Sequence, residues 1–286
     1  MAVFLKPDKT RKERIGNETL VIHEKLIPDD MRAPRNVALW VKKGQLMKPN
    51  APLGGNGRPR GICVHNTNDI QVARGTNAAE QYTRATFNGN MAGVVVHFYV
   101  WKNEIWQNLR LDERGWHAAD GSSRRAGRRP GQKIGGNLDT IAIEAIGPHE
   151  QTTETTAKLC AWLCKNCDLD PTLDLWQHND FAPRSGCPKY ILRTGWTQFL
   201  QAVQGFYRCV GPVADEVLNA AQVVVQTVAQ APPVATQVVT QSAPQAATAM
   251  QARQSMVNTA SPAFLAGQTL RQRVREKLKR KASRLR

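Results

Sequence analysis

Two short segments carry side chains that could bind a metal ion. His65 ends the apolar run ICVH, and His178 and Cys187 stand at the two ends of HNDFAPRSGC. Two imidazoles and a thiolate form a three-ligand set that leaves the fourth position of a tetrahedral zinc ion open for water, as in catalytic sites. The two segments lie far apart in the chain, so only a folded domain can bring them together. A lone histidine is more often a packed core residue, so the prediction rests on the set.

A carboxylate inside an apolar strand pattern supports the same site. Glu144 lies in TIAIEAIG, where every second neighbour is an isoleucine or an alanine. Burying an unpaired carboxylate costs on the order of several kcal/mol or forces it to take up a proton. Water at a zinc ion would be a suitable partner for it. The alternative is that Glu144 faces solvent on a half-exposed strand.

The segments that must position these residues alternate between strand and helix patterns. Strand patterns occupy 61–65, 94–101, 104–109, 140–147 and 172–178, and helix patterns occupy 76–90, 154–170 and 194–208. This alternation predicts an α/β domain with a mixed central β-sheet flanked by helices. The basic, glycine-rich segment 121–137 is interpreted as a long loop between two strands.

Composition divides the chain into four regions. Residues 1–50 combine charges and prolines without a sustained period, and we interpret them as an N-terminal extended arm. Residues 51–210 form the predicted catalytic domain. Residues 211–266 are a low-complexity linker rich in Ala, Gln and Val. Residues 267–286 carry nine Lys and Arg against one Glu, half of the formal net charge of +16, and predict a basic C-terminal helix or tail.

Several protein classes are not expected from this sequence. Cys160, Cys164 and Cys167 share one face of a predicted helix, which favours core packing over an iron–sulfur site. The six cysteines do not form the pattern of a disulfide-dense extracellular scaffold. The first residues do not resemble a secretory signal, and no apolar run approaches the roughly 18 residues of a membrane-spanning helix.

The order of several segments resembles a known family. ICVHNT, VVVHFYV, GWHAAD, TIAIEAIG and HNDFAPRSGCP follow one another as in the zinc-dependent N-acetylmuramoyl-L-alanine amidases of the type 2 fold. That family includes phage endolysins and is related to peptidoglycan recognition proteins. The resemblance covers about residues 55–205. It implies Zn2+ bound by His65, His178 and Cys187, Glu144 as the catalytic acid and base, and a site position for His117.

Two departures from the family pattern concern residues around the metal. Val96 stands where some relatives place a catalytic tyrosine, and Ser185 stands where others place a lysine. We therefore assign the contact with the oxyanion or substrate to Arg184. His97 and His117 are predicted to bind substrate. For His97 the alternative is an ordinary packed histidine.

The resemblance also implies a reaction and its partners. It predicts hydrolysis of the amide between N-acetylmuramic acid and the L-alanine of the peptidoglycan stem peptide, in a phage lysin that degrades the bacterial cell wall. Such a protein would wait in the host cytoplasm or travel with the virion, in contact with other virion proteins. The basic C-terminus suits an anionic membrane or lipopolysaccharide, and nucleic acid is not expected as the main partner. The alternatives are a non-catalytic peptidoglycan-binding protein and a virion structural protein with a basic attachment tail.

Overall fold

A computed structural model describes residues 5–32, 47–67, 77–91 and 93–211 of the chain. Its strands are β1 (Lys9–Ile15), β2 (Glu18–Glu24), β3 (Gly61–Thr67), β4 (Phe98–Trp101), β5 (Glu104–Gln107), β6 (Arg125–Ala126), β7 (Lys133–Ile134), β8 (Thr140–Ile146) and β9 (Leu175–Gln177). Its α-helices are α1 (Ala78–Phe87), α2 (Gly136–Asp139), α3 (Glu150–Asn166), α4 (His178–Phe181), α5 (Lys189–Thr194) and α6 (Trp196–Tyr207).

Seven strands form one mixed sheet in the order β1-β2-β5-β4-β8-β3-β9. The four strands β4, β8, β3 and β9 are parallel to one another, whereas β4 and β5 form an antiparallel hairpin. Strands β3 and β8 pair along seven residues, from Gly61 opposite Thr140 to Thr67 opposite Ile146. Parallel strands buried on both faces are rich in apolar residues, which is why these two segments stand out in the sequence. The predicted mixed sheet flanked by helices is confirmed.

The two faces of the sheet are covered by different helices. Ile62 and Val64 of β3 pack in the cluster that contains buried residues of α3 and α6. Ala142 and Ile146 of β8 pack with Ala78 of α1 in a second cluster. Because side chains alternate along a strand, His65 and Glu144 project to the face that α1 covers, away from α3 and α6.

The N-terminal region contains a hairpin that the sequence analysis did not predict. Strands β1 and β2 pair antiparallel, and β2 adds to β5 in parallel, so residues 9–24 extend the central sheet. Ile15, Leu20 and Ile22 are buried in the main core. The prediction of an extended arm over 1–50 is therefore wrong for this part. The charges of the edge strand β1 obscure its alternation, although the Gly-Asn pair at 16–17 is a typical hairpin turn.

The core role predicted for three cysteines can be compared with the structure, whereas the predictions for the C-terminal regions cannot. Cys160 and Cys164 are buried in the core and Cys167 packs against it, so the predicted core role is confirmed. Within the described residues, no helix is long and apolar enough to cross a membrane. The predicted linker beyond Gly211 and the basic segment 267–286 lie outside the described residues, as do residues 33–46 of the predicted arm.

Candidate metal centre and active site

Parallel strands bring the three predicted zinc ligands together. His65 lies near the end of β3, and His178 directly follows β9, whose last residue Gln177 pairs with Val64. Cys187 lies in the loop before α5. One donor atom from each of His65, His178 and Cys187 lies within 4.8 Å of the other two. We call these three residues the outer group.

Asn66 ties the cysteine loop to the end of the sheet. Its backbone N–H donates to Cys187 Sγ at 3.3 Å, and its Oδ1 accepts from the backbone N–H of Tyr190 at 2.9 Å. Its Nδ2 donates to the carbonyl oxygens of Ala145 at 2.8 Å and Gly147 at 3.1 Å. Sequence reasoning did not identify this residue. Its one signal is a polar amide directly after His65 at the end of an apolar strand.

The turn that carries His178 is held by its cap and by an arginine. Asp180 accepts from the backbone N–H of Gln177 at 2.9 Å, as part of a capping box. The guanidinium of Arg128 lies 4.1 Å from the ring centroid of Trp176 and donates to the Leu175 carbonyl at 2.5 Å. The predicted basic loop 121–137 is therefore attached to β9, directly before the histidine.

His117 contacts a ligand of the outer group. Its Nδ1 lies 2.9 Å from His65 Nε2, and both rings are buried. The backbone N–H groups of His117 and Ala118 donate to Asn137 Oδ1 at 2.6 and 2.8 Å, which fixes this stretch of the loop. Asn137 is fully buried and was not predicted. The structure therefore places His117 beside a predicted ligand, in a position that orients the His65 ring.

Burial sets the protonation of these groups. It lowers the pKa of His65 and of His117 well below the usual range, and it lowers that of His178. Neutral imidazole is the form that binds metal. Burial raises the pKa of Cys187 to about 12 in the metal-free protein, so the free thiol keeps its proton. A metal ion that binds this sulfur displaces the proton.

Glu144 lies directly across from His65 in the pairing of β3 with β8. It is half-buried, which lies between the buried carboxylate predicted from the sequence and the alternative of a carboxylate that faces solvent. Desolvation raises the pKa of its carboxyl to about 8, opposed by a hydrogen bond from the Thr67 backbone. A carboxyl group with such a pKa can accept and return a proton near neutral pH.

The other two predicted residues are placed differently. His97 is fully buried; Nε2 donates to the Glu113 carbonyl at 2.8 Å, and Nδ1 accepts from the Ala142 N–H at 3.0 Å. Both ring nitrogens are used, and burial lowers the pKa to about 4. This corrects the prediction that His97 binds substrate, since the ring is a packed link between sheet and loop. Arg184 is exposed in the loop before Cys187, and within the described residues it forms no hydrogen bond or ion pair.

The outer group suits zinc in its chemistry. Two nitrogens and one sulfur are donors that Zn2+ accepts, and three protein ligands leave a position open. Nε2 of His178 is buried without a hydrogen-bond partner within the described part of the chain. A buried polar nitrogen of this kind is expected in a residue whose partner is a metal.

Known proteins resemble this chain over the same region. Residues 55–190 match the family model described as N-acetylmuramoyl-L-alanine amidase. The chain is 28% identical over 189 residues to the N-acetylmuramoyl-L-alanine amidase XlyA of Bacillus subtilis (strain 168), covering 63% of this chain and 58% of that protein. It is 30% identical over 149 residues to the N-acetylmuramoyl-L-alanine amidase CwlH of the same organism, covering 51% and 53%. The chain thus spans little more than half the length of these curated relatives.

Solved structures show similarity of comparable extent. The catalytic domain of XlyA is 25% identical, with a TM-score of 0.47, over 64% of this chain and 98% of that one. The PlyG catalytic domain is 19% identical, with a TM-score of 0.48, over 67% of this chain and 99% of that one. The family match itself includes the whole outer group and Glu144. On that match, residues 55–190 belong to the N-acetylmuramoyl-L-alanine amidase family.

Proposed function

We propose that this domain hydrolyses the amide bond between N-acetylmuramic acid and the L-alanine of the stem peptide, with Zn2+ held by the outer group. The observation that carries the proposal is the convergence of His65, His178 and Cys187 within 4.8 Å, with Glu144 paired opposite His65. Membership of residues 55–190 in the amidase family supports the choice of bond.

The chain's own residues have distinct parts in this reaction. Zinc, when bound, supplies Lewis acidity toward water and the amide carbonyl. Glu144 takes the proton of the attacking water and returns it to the leaving amine. The Asn66 N–H donates to the Cys187 sulfur and holds it in place. His117 Nδ1 lies 2.9 Å from His65 Nε2, and this contact would hold the orientation of the His65 ring toward the metal.

Mass spectrometry of digested peptidoglycan tests the proposal because it identifies the bond that is cut. We expect stem peptides with a free L-alanine amino group and glycan strands with intact lactyl groups. Chelation should abolish the products and zinc should restore them. Cleavage of any other bond would contradict the proposal.

Variants separate catalysis from binding. Cys187→Ser and Glu144→Gln should each abolish hydrolysis, whereas Cys209→Ser, which removes an exposed cysteine, should not. If the wild-type protein binds insoluble peptidoglycan but releases no product, the alternative of a non-catalytic binding protein is favoured. Full activity of Cys187→Ser would refute the ligand assignment.

The biological setting is a separate part of the proposal. We propose a phage lysin that is held in the host cytoplasm or in the virion, and whose segment 267–286 attaches it to an anionic membrane or lipopolysaccharide. The support is the excess of Lys and Arg in that segment. Deletion of 267–286 should reduce lysis of intact cells in a salt-dependent way but leave hydrolysis of purified peptidoglycan unchanged. If the deletion instead removes DNA binding and leaves lysis intact, the segment serves attachment to nucleic acid or to the virion.

A further inference from the structure

A second set of metal donors lies on the inner side of His65. Cys63 Sγ is 3.3 Å from His65 Nε2, and His117 Nδ1 is 2.9 Å from the same nitrogen. One donor atom from each of Cys63, His65 and His117 lies within 4.8 Å of the other two. We call these residues the inner group. We propose that the inner group is a second metal site, which takes a thiophilic divalent ion such as Zn2+ or Cd2+ in competition with the outer group.

Two of the three donor separations in the inner group are close to those of a tetrahedral site. Metal–nitrogen distances near 2.0 Å and a metal–sulfur distance near 2.3 Å place two nitrogens about 3.3 Å apart and a nitrogen about 3.5 Å from a sulfur. The separations of 2.9 and 3.3 Å in the metal-free protein are shorter by a few tenths of an ångström. Cys63 and His65 are two positions apart on β3, so both project from the same face of the sheet. Small side-chain rotations would open the set for an ion.

The chemistry of His65 makes the two sites exclusive. A neutral imidazole has one nitrogen with a free lone pair and one that carries a proton. His65 can therefore offer its single lone pair to an ion in the outer group or to an ion in the inner group, but not to both. Binding in the inner group needs the lone pair of Nε2, so the proton lies on Nδ1 and the Cys63 thiol releases its proton to solvent. An ion in one group therefore removes His65 from the other.

Burial distinguishes the two groups in function. Cys63 is fully buried, and His65 and His117 are 3% and 7% exposed, whereas His178 and Cys187 of the outer group are only partly buried. A closed set of soft donors retains an ion but offers no access to a substrate. The inner site is therefore an inactive resting position for the metal. This inference rests on the proposed function only for the assignment of the outer group.

Cadmium binding to the full-length chain tests the inner site without any measurement of hydrolysis. Cys187→Ser removes the thiolate of the outer group and leaves Cys63 as the one cysteine of both groups. We expect this variant to bind one equivalent of Cd2+ with the ultraviolet charge-transfer absorption of a cadmium–thiolate bond. The absorption should disappear in Cys63→Ala/Cys187→Ser. It should remain in the control Cys187→Ser/Cys209→Ser, which lacks an exposed thiol instead.

Two results would overturn the inference. One is the absence of cadmium–thiolate absorption in Cys187→Ser, which would mean that Cys63 only packs and His117 only orients His65. The other is the same absorption in Cys63→Ala/Cys187→Ser, which would assign the thiolate to another cysteine. Cys63→Ser/Cys187→Ser repeats the test with a closer substitute if the alanine variant fails to fold. Failure of the proposed amidase activity would leave each of these cadmium results unchanged.

Discussion

Asn66 allows a quantitative test of how the cysteine loop is attached. Its side chain makes three hydrogen bonds of 2.8, 2.9 and 3.1 Å to backbone groups of Ala145, Tyr190 and Gly147. Asn66→Ala removes all three but keeps the backbone N–H that contacts Cys187. Each bond contributes about 1 kcal/mol net, and the groups left buried add to the loss. We therefore expect the free energy of unfolding to fall by about 3 to 4 kcal/mol.

Urea denaturation of the zinc-free protein measures this change. Asn56→Ala is the matched control, because that exposed side chain accepts only one local hydrogen bond, from the Arg58 N–H at 3.1 Å; it should change stability by less than about 0.5 kcal/mol. Competition with a chelator should show zinc affinity about 10- to 100-fold weaker in Asn66→Ala, as for residues that support metal ligands. A loss of stability below about 1 kcal/mol, with zinc affinity unchanged, would refute the reasoning.

Three further predictions concern the support of the site. Lys48 is fully buried, and its Nζ lies 2.6 Å from Glu113 and donates to the Ile27 carbonyl at 2.7 Å. Because Arg32 and Arg110 still pair with Glu113, Lys48→Met should lower the free energy of unfolding in urea by about 1 to 3 kcal/mol; a neutral result would contradict this. The pKa of His97 is about 4 in the folded protein against 6.5 for a free histidine, so the unfolded state binds more protons between these values and stability falls as the pH falls. His97→Gln should remove up to about 1.4 kcal/mol per pH unit from that slope, and an unchanged slope would argue against burial of a neutral ring. Ile22→Ala should cost about 2 to 5 kcal/mol, whereas the exposed Thr19→Ala should be near neutral; equal effects would mean that β2 is not part of the core.

The main features of the site could be predicted because the strands that carry them are buried on both faces. In such strands a polar residue is rare, so His65 and Glu144 are visible as exceptions in apolar runs. The spacing of His178 and Cys187 within one short segment adds the remaining donors. A family match over 55–190 then covers all four positions.

Residues whose role depends on distant backbone groups could not be predicted. Asn66 and Asn137 bind carbonyl and N–H groups far away in the chain, and the strand register that brings those groups near is not visible in local composition. His97 and His65 both lie in apolar strand patterns, and they differ in what faces them. His97 meets the Glu113 carbonyl and the Ala142 N–H, whereas His65 meets the side chains of Cys63 and His117.

The hairpin of β1 and β2 has a consequence for any shortened form of this domain. The family match begins at residue 55, but the sheet begins with β1. A fragment starting at residue 55 would make β5 an edge strand and would remove Arg11 from its place 4.7 Å from the ring centroid of Trp162. Unprotected edges pair with other chains, and charged edge strands prevent this. The charged β1 therefore serves the solubility of the domain, and a fragment cut at the family boundary should self-associate in sedimentation experiments, where residues 5–211 should remain monomeric.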